Sequence, residues 1–229
     1  MGGVEREADD VRAADRLVRE RAAPVPVPGV PEVVLPTAAD VLELWEETER
    51  GSDGPRPPPF WGFPWVGGQA LARHVLDHPA LVAGARVVDV ACGSGLVAVA
   101  AALAGAARVR AVDVDPLAVA AARWSADLNG VGLEVVRADV LAGDALSRGG
   151  VLADARVVLV GDLFYERATA QRLLPLLRRA AGAGALVLVG DPGRAYLPTG
   201  LEEVARHEVP VVAHLEDADV RSTAVLRVV

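Results

Sequence analysis

From residue 85 onward, short apolar runs alternate with longer alanine-rich or amphipathic stretches. RVVDVA (86–91), VRAVDV (109–114), LEVVRAD (133–139), ARVVLVGD (155–162) and ALVLVGD (185–191) are Val- and Leu-rich, which predicts buried strands. Between them, residues 95–105, 116–129 and 167–182 predict helices. Two last apolar segments, EVPVVAHL (208–215) and STAVLRVV (222–229), are joined by a short loop. A parallel crossover needs roughly a dozen or more residues, so this pair predicts an antiparallel hairpin. The expected fold is α/β, a doubly wound, mixed seven-stranded sheet with an antiparallel C-terminal hairpin.

The first part of the chain reads differently. Residues 1–23 are charged and alanine-rich, a solvated helix or a frayed end. PVPVPGVPEVVLPT (24–37) is punctuated by proline and extended. ADVLELWEETE (39–49) has helical spacing, with Val41, Leu44 and Trp45 on one side. GSDGPRPPP (51–59) is a turn-rich surface linker, and residues 60–79 begin as an aromatic loop and end as a helix. The division this predicts is an N-terminal helical and loop extension over 1–59 and an α/β domain over 60–229.

Hydrophobic residues make up 52% of the 229 positions, supplied by Ala, Val and Leu rather than aromatics. All 23 basic residues are Arg, because the chain contains no Lys; a coding bias toward Arg and Ala accounts for that. The protein therefore cannot modify lysines of its own. A net charge of −8 argues against general affinity for nucleic acid, which needs a basic field. One Cys excludes an internal disulfide and agrees with a reducing compartment. The first twenty residues have no apolar signal core, and no apolar run reaches the roughly 18 residues of a membrane span. The expected location is cytoplasmic, away from membranes.

Candidate chemistry concentrates in VVDVACGSG (87–95), a strand feeding a glycine turn and then a helix. A dinucleotide is one reading, because Gly93, Gly95 and Ala98 satisfy G-x-G-x-x-G/A and Asp113 stands where a ribose-binding acid belongs. Asp89 opposes it, since a pyrophosphate there would meet a carboxylate with no Lys to offset the repulsion. A phosphate-clamping P-loop is absent, as there is no G-x-x-x-x-G-K-[ST]. S-adenosylmethionine, cationic and free of phosphate, turns Asp89 into an asset. Asp113 would then hold the ribose, and Asp139 in RAD would face the adenine. Each acid also has a plain structural role open to it: Asp89 bracing the turn, Asp115 capping the helix that starts at Pro116, Asp139 ending a strand. Charge favours the methyl donor over the dinucleotide.

These residues resemble motif I and the acidic motifs of class I (seven-β-strand) methyltransferases. From about residue 30 onward, PFWGFPWVGGQALARHVLDHP, GDLFYER and GDPGRAYLP are similar to the electron-transfer-flavoprotein β-subunit lysine methyltransferases and their bacterial relatives. That branch carries a D-x-x-[YF] signature, here Asp162-Leu163-Phe164-Tyr165. The resemblance implies a Rossmann-like methyltransferase fold and transfer of a methyl group to nitrogen. The acceptor it implies is a protein lysine (the electron transfer flavoprotein β subunit among the candidates), with nicotinamide-like heterocycles or metabolite amines as the alternative. A silent cofactor-binding module is a third reading, opposed by the intact Gly93, Gly95, Asp113 and Asp162.

Asp162, ending the fourth strand and expected beside the cofactor, would attract the acceptor ammonium, orient the amine once it is deprotonated and stabilise developing charge, being a poor general base on ordinary values. Tyr165 and Phe164 would wall the amine channel, with packing at the start of the next helix as the other reading of both. Trp65 with the Gly67–Gly68–Gln69 turn would form a lid over the cofactor, with Gly68 and Trp65 as contacts; for Trp61 a lid and a hydrophobic plug are equally open. Arg194 in GDPGR would brace Asp191 or meet a substrate acid, bracing being the simpler role. Cys92 reads as a small packing residue. His74 and His78 lie one helical turn apart, but with no third ligand apparent they read as solvent-side residues and no metal site is expected.

Overall fold

The computed structural model describes residues 2–40, 43–46, 58–211 and 219–229, with side chains from residue 10 onward. Helix α1 (Gly2–Arg21) leads into strands β1 (Ala22–Val27) and β2 (Val30–Ala38), an antiparallel hairpin. The proline-rich segment is thus extended and paired. Pro24 and Pro26 sit in β1, which as an outer strand can spare the amide hydrogens that proline lacks. Residues 43–46 are helical and Leu44 is buried. Val41 and most of the expected linker, residues 51–57, lie outside the described residues.

Helix α2 (Val66–Asp77) precedes the main sheet. Then follow β3 (Arg86–Val90), α3 (Leu96–Leu103), β4 (Arg108–Asp113), α4 (Pro116–Asn129), β5 (Glu134–Arg137), β6 (Val157–Gly161), α5 (Arg167–Gly182) and β7 (Leu186–Asp191). Strands β8 (Glu202–Pro210) and β9 (Val220–Arg227) complete a seven-stranded sheet ordered β5-β4-β3-β6-β7-β9-β8. β3 to β7 pair in parallel, and β9 runs antiparallel to both β7 and β8. The fold class and the C-terminal hairpin match the expectation from sequence. β8, however, starts six residues earlier than the predicted segment 208–215, and residues 212–215 lie outside the described residues. In EEVARHEVP only Val209 is buried, so this outer strand has no apolar run to reveal it.

Alternate residues of each central strand enter opposite cores. Val87, Val109, Leu159 and Leu188 pack with α2, α3 and the β1–β2 hairpin, whereas Val88, Val112, Val160 and Val189 pack with α5 and the β5–β6 connection. Burying each such side chain is worth about 1.5–3 kcal/mol, so a strand covered on both faces favours apolar residues along its whole length, Asp89 of β3 being a buried polar exception. The hairpin is anchored to α4 by Asn129. Its Nδ2 donates to the Val34 carbonyl at 2.7 Å and its Oδ1 accepts from the Val34 amide at 2.9 Å, so the side chain pairs with β2 as a strand would.

The start of α2 meets the ends of β6 and β7 backbone to backbone. A Cβ built on Gly190 would collide with the Gly67 carbonyl oxygen and come within 2.9 Å of Leu71 Cβ. One on Gly67 would collide with the Gly190 carbonyl oxygen, and one on Gly161 would lie 2.9 Å from Gly68 Cα. None of these neighbours is the free end of a flexible side chain. Gly190→Ala is therefore expected to cost roughly 3 kcal/mol or more, read as a drop in thermal midpoint. Gly184→Ser, at a turn where nothing lies within 4 Å of the new atom, tests the contrast by meeting backbone strain without any collision.

Candidate active site

β3 runs into a turn that only special backbone conformations can make. Ala91, Gly93 and Gly95 have φ of 53°, 53° and 84°. Gly95 is the N-cap of α3 and has no side chain to cap it. Asp89 takes over that task from within β3: its Oδ2 accepts from the Ala98 amide at 3.0 Å, and the carboxylate is 1% exposed. Gly95 itself is not on the cavity wall. A Cβ there would lie 3.1 Å from Ala122 Cβ, so this glycine serves the turn and the close approach of α4.

Asp113, ending β4, clasps the same turn. Its carboxylate accepts from the Gly93 amide at 2.9 Å and from the Asp115 amide at 3.0 Å. Each oxygen retains a second lone pair for a ligand hydroxyl. Asp115 caps α4 by accepting from the Leu117 amide at 2.9 Å. Asp139, after β5, is exposed and accepts from the Leu141 amide at 2.8 Å.

The opposite end of the cavity is built around Asp162. Its φ of 56° makes it, with Ala91, one of two non-glycine residues at positive φ among the described residues. Its amide donates to the Gly190 carbonyl at 2.8 Å. Its Oδ2 accepts from the Gly67 amide at 2.9 Å, so the first turn of α2 points at the carboxylate. Arg194 then pairs with it through Nε at 2.6 Å and Nη2 at 3.2 Å. The expected bracing of Asp191 by Arg194 is thus corrected. Asp191 accepts the Gly193 and Arg194 backbone amides at 2.7 Å each, holding the turn, while the Arg194 side chain crosses to Asp162. Tyr165 is 43% exposed and packs on Phe60 with ring centroids 5.1 Å apart; Phe60 meets Trp65 edge-on at 5.8 Å.

One cavity of about 580 Å³ joins these parts. Trp65, Gly68, Asp89, Gly93, Asp113, Asp139, Asp162 and Tyr165 all line it. Its walls carry six carboxylates and two guanidiniums, an excess of negative charge. Burial pushes the Asp89 carboxyl up to about 8, with the Asp113 charge adding to the effect and the Ala98 amide opposing it. Burial likewise raises Asp113 and Asp191, and it raises the Tyr165 phenol.

Several expected roles change. Phe164 is fully buried in the core beside α5 and does not wall a channel. Gly67, Gly68 and Gln69 are the buried first turn of α2, not a lid. Gln69 ties three segments together, donating to the Pro64 carbonyl and accepting from the Gly29 amide. Trp61 is 1% exposed and packs against Leu117 and Ala118 while lining the cavity. Cys92 is buried in the turn wall. His74 is buried rather than solvent-side, and His207 of β8 brings a third imidazole within 5.9 Å of it. Among the described residues no three His, Cys, Asp or Glu side chains are arranged to hold a metal ion, and no helix is long and apolar enough to cross a membrane. The Asp162–Arg194 pair and the facing glycines Gly161 and Gly190 went unnoticed in the sequence, although the repeated VLVGD ending of β6 and β7 marks them.

The residues present fit S-adenosylmethionine. A wall with this carboxylate excess favours a cationic ligand and opposes a pyrophosphate, and Asp89 lies where its charge is least solvated. Comparison with known proteins points the same way. The ribosomal protein L11 methyltransferase (PrmA) family model matches residues 71–158. The chain is 34% identical over 203 residues to the electron transfer flavoprotein beta subunit lysine methyltransferase of Danio rerio, covering 86% of this chain and 76% of that protein. It is 35% identical to the Xenopus laevis protein of the same name, covering 82% and 72%. In fold it is similar to a putative SAM-dependent methyltransferase from Streptococcus mutans, at a TM-score of 0.51 and 14% identity, over 72% of this chain and 49% of that one.

A cation seated near Asp89 draws off its proton, so binding of S-adenosylmethionine is expected to release a proton and to tighten as pH rises toward about 8. Without ligand the linkage has the opposite sense: a raised carboxyl stabilises the fold below its unfolded value, and that stability is lost as pH climbs to about 8. Asp89→Asn should weaken binding, remove the pH slope of affinity and flatten the pH slope of the thermal midpoint. Calorimetry in buffers of different ionisation enthalpy reads the proton release directly.

Proposed function

The chain belongs to the electron transfer flavoprotein beta subunit lysine methyltransferase family and is an S-adenosylmethionine-dependent methyltransferase; from that premise we propose that its acceptor is a lysine ε-amine on a folded cytoplasmic protein, the electron transfer flavoprotein β subunit first among candidates. The observation that carries this reading is the open rim of the cavity. Val114, Asp139, Tyr165 and Glu166 line it and are all exposed, so the mouth can receive a side chain standing on a larger surface. A small metabolite would be better held by a closed apolar pocket.

When bound, S-adenosylmethionine supplies an electrophilic methyl group on a sulfonium. Asp113 would hold the ribose hydroxyls through its remaining lone pairs, Asp139 would face the adenine and Asp89 would lie toward the cationic end. Gly93 and Gly68 keep side chains off the wall, and Trp65 would pack against the bound cofactor. At the acceptor end the Tyr165 and Trp65 rings, both lining the cavity, would flank the approach and pack against the methylene chain of a lysine side chain. Asp162, fixed by three donors, is preorganised to orient the amine.

Incubation with methyl-labelled cofactor and purified electron transfer flavoprotein is expected to label lysine on the β subunit. The chain has no Lys, so that label cannot be automethylation. Label found only among the small molecules of a lysate would overturn the protein-lysine reading. Asp162→Asn should cut turnover roughly 100-fold or more with far less effect on cofactor affinity, whereas Asp113→Ala should act mainly on affinity. An equal loss of both in Asp162→Asn would remove its role at the acceptor.

A further inference from the structure

Asp162 is not an open carboxylate. Its side chain is 4% exposed and its oxygens accept from Arg194 Nε, Arg194 Nη2 and the Gly67 amide. The guanidinium is held in turn. The Arg194 backbone is pinned by Asp191, and the guanidinium carbon lies 6.0 Å from the Trp65 ring centroid. Arginine stays protonated at every working pH, so the carboxylate is neutralised throughout.

That arrangement matters for a lysine acceptor. Lysine titrates near 10.4 and only the neutral amine can attack. An uncompensated carboxylate about 4 Å away would hold the ammonium form, lowering the neutral fraction on the order of a hundred- to a thousandfold. We infer that Arg194 is a positioning residue that keeps the Asp162 charge compensated, so that the acceptor is taken up as a neutral amine and is not trapped as an ammonium. The inference rests on the lysine reading above. The amine's proton leaves to solvent before it docks, and Asp162 receives none. The other ionisable groups near the pair are Asp191 at the end of β7, which holds the Gly193 and Arg194 amides, and Tyr165 after β6, with Glu166 beside it at the start of α5. From α2 come the Gly67 amide and, just before it, the Trp65 ring.

The probe is n-butylamine, a minimal lysine side chain, titrated by ligand-detected magnetic resonance into enzyme saturated with S-adenosylhomocysteine between about pH 6 and about pH 9. The native protein should follow the neutral fraction, gaining about tenfold in affinity per pH unit. Arg194→Gln should bind the ammonium instead, with affinity flat across the range and at least about tenfold higher at neutral pH. Arg194→Lys, keeping a cation, should restore the slope. In turnover, Arg194→Gln should lower kcat without raising KM for the acceptor, a split that mere loosening of the turn would not produce. A flat profile in the native protein overturns the inference whether or not the variant folds. Equal slopes in native and Arg194→Gln protein also overturn it, leaving the lysine reading intact. No amine binding by either protein at any pH overturns both.

Discussion

The carboxyl edge of the sheet depends on one contact, the meeting of the α2 backbone with the backbones of β6 and β7. A Cβ on Gly67 or on Gly190 would collide with the carbonyl oxygen of the other, and one on Gly161 would lie 2.9 Å from Gly68 Cα. Two glycines in the first turn of a helix cost about 1 kcal/mol each against alanine. The close approach offsets that cost by aiming the Gly67 amide at the Asp162 carboxylate, where the positive end of the helix also favours an anion. Asp162 in turn sits at positive φ, a strain of roughly 1–3 kcal/mol, and its bond to the Gly190 carbonyl helps to hold it there. Helix start, strained acid and glycine strand ends therefore make one unit, and none of them can be altered alone.

The same economy governs the other end of the cavity, where the acids serve the backbone. Asp89 caps α3 from a neighbouring strand, Asp113 clasps the Gly93 turn, and Asp115 caps α4. A buried carboxylate without such partners would be too costly to keep charged. With them, the acids are fixed in place while keeping spare acceptor capacity toward the cavity. The rise of Asp89 to about 8 shows that one amide bond does not compensate fully for its burial. A cationic ligand would supply the missing compensation.

Much of this was legible from residue types. β3, β6 and β7 are buried on both faces, which calls for runs rich in Val and Leu, and the acids Asp89 within β3, Asp162 just after β6 and Asp191 at the end of β7 fall at the ligand edge by position alone. β8 was not legible, because an outer strand with one buried residue carries no apolar signature. Gly67 and Gly68 read as a turn because adjacent glycines usually break a helix; the tertiary contact that overrides propensity has no local trace. Phe164 and Tyr165 are adjacent in the chain, yet one enters the core and the other lines the cavity. Which ring goes which way follows from the backbone reversal at Asp162, invisible in the string DLFY.

The partner of Arg194 was ambiguous for a related reason. β6 and β7 both end in LVGD, so Asp162 and Asp191 look equivalent in sequence. Register distinguishes them: Gly161 pairs with Gly190, which sets the two acids side by side on neighbouring parallel strands. Asp191 is followed at once by a Pro-Gly turn whose amides fold back onto it, and its Oδ1 is consumed there. Asp162 is followed by Leu163 and the buried Phe164, so no such turn reaches back, and its carboxylate is left for α2 and for the guanidinium carried on the neighbouring turn. Arginine suits that position because its planar fork grips both oxygens at once, where an ammonium would act only as a point charge. Two identical strand endings thus acquire different duties, one building the turn and the other, held by what that turn carries, facing the cavity.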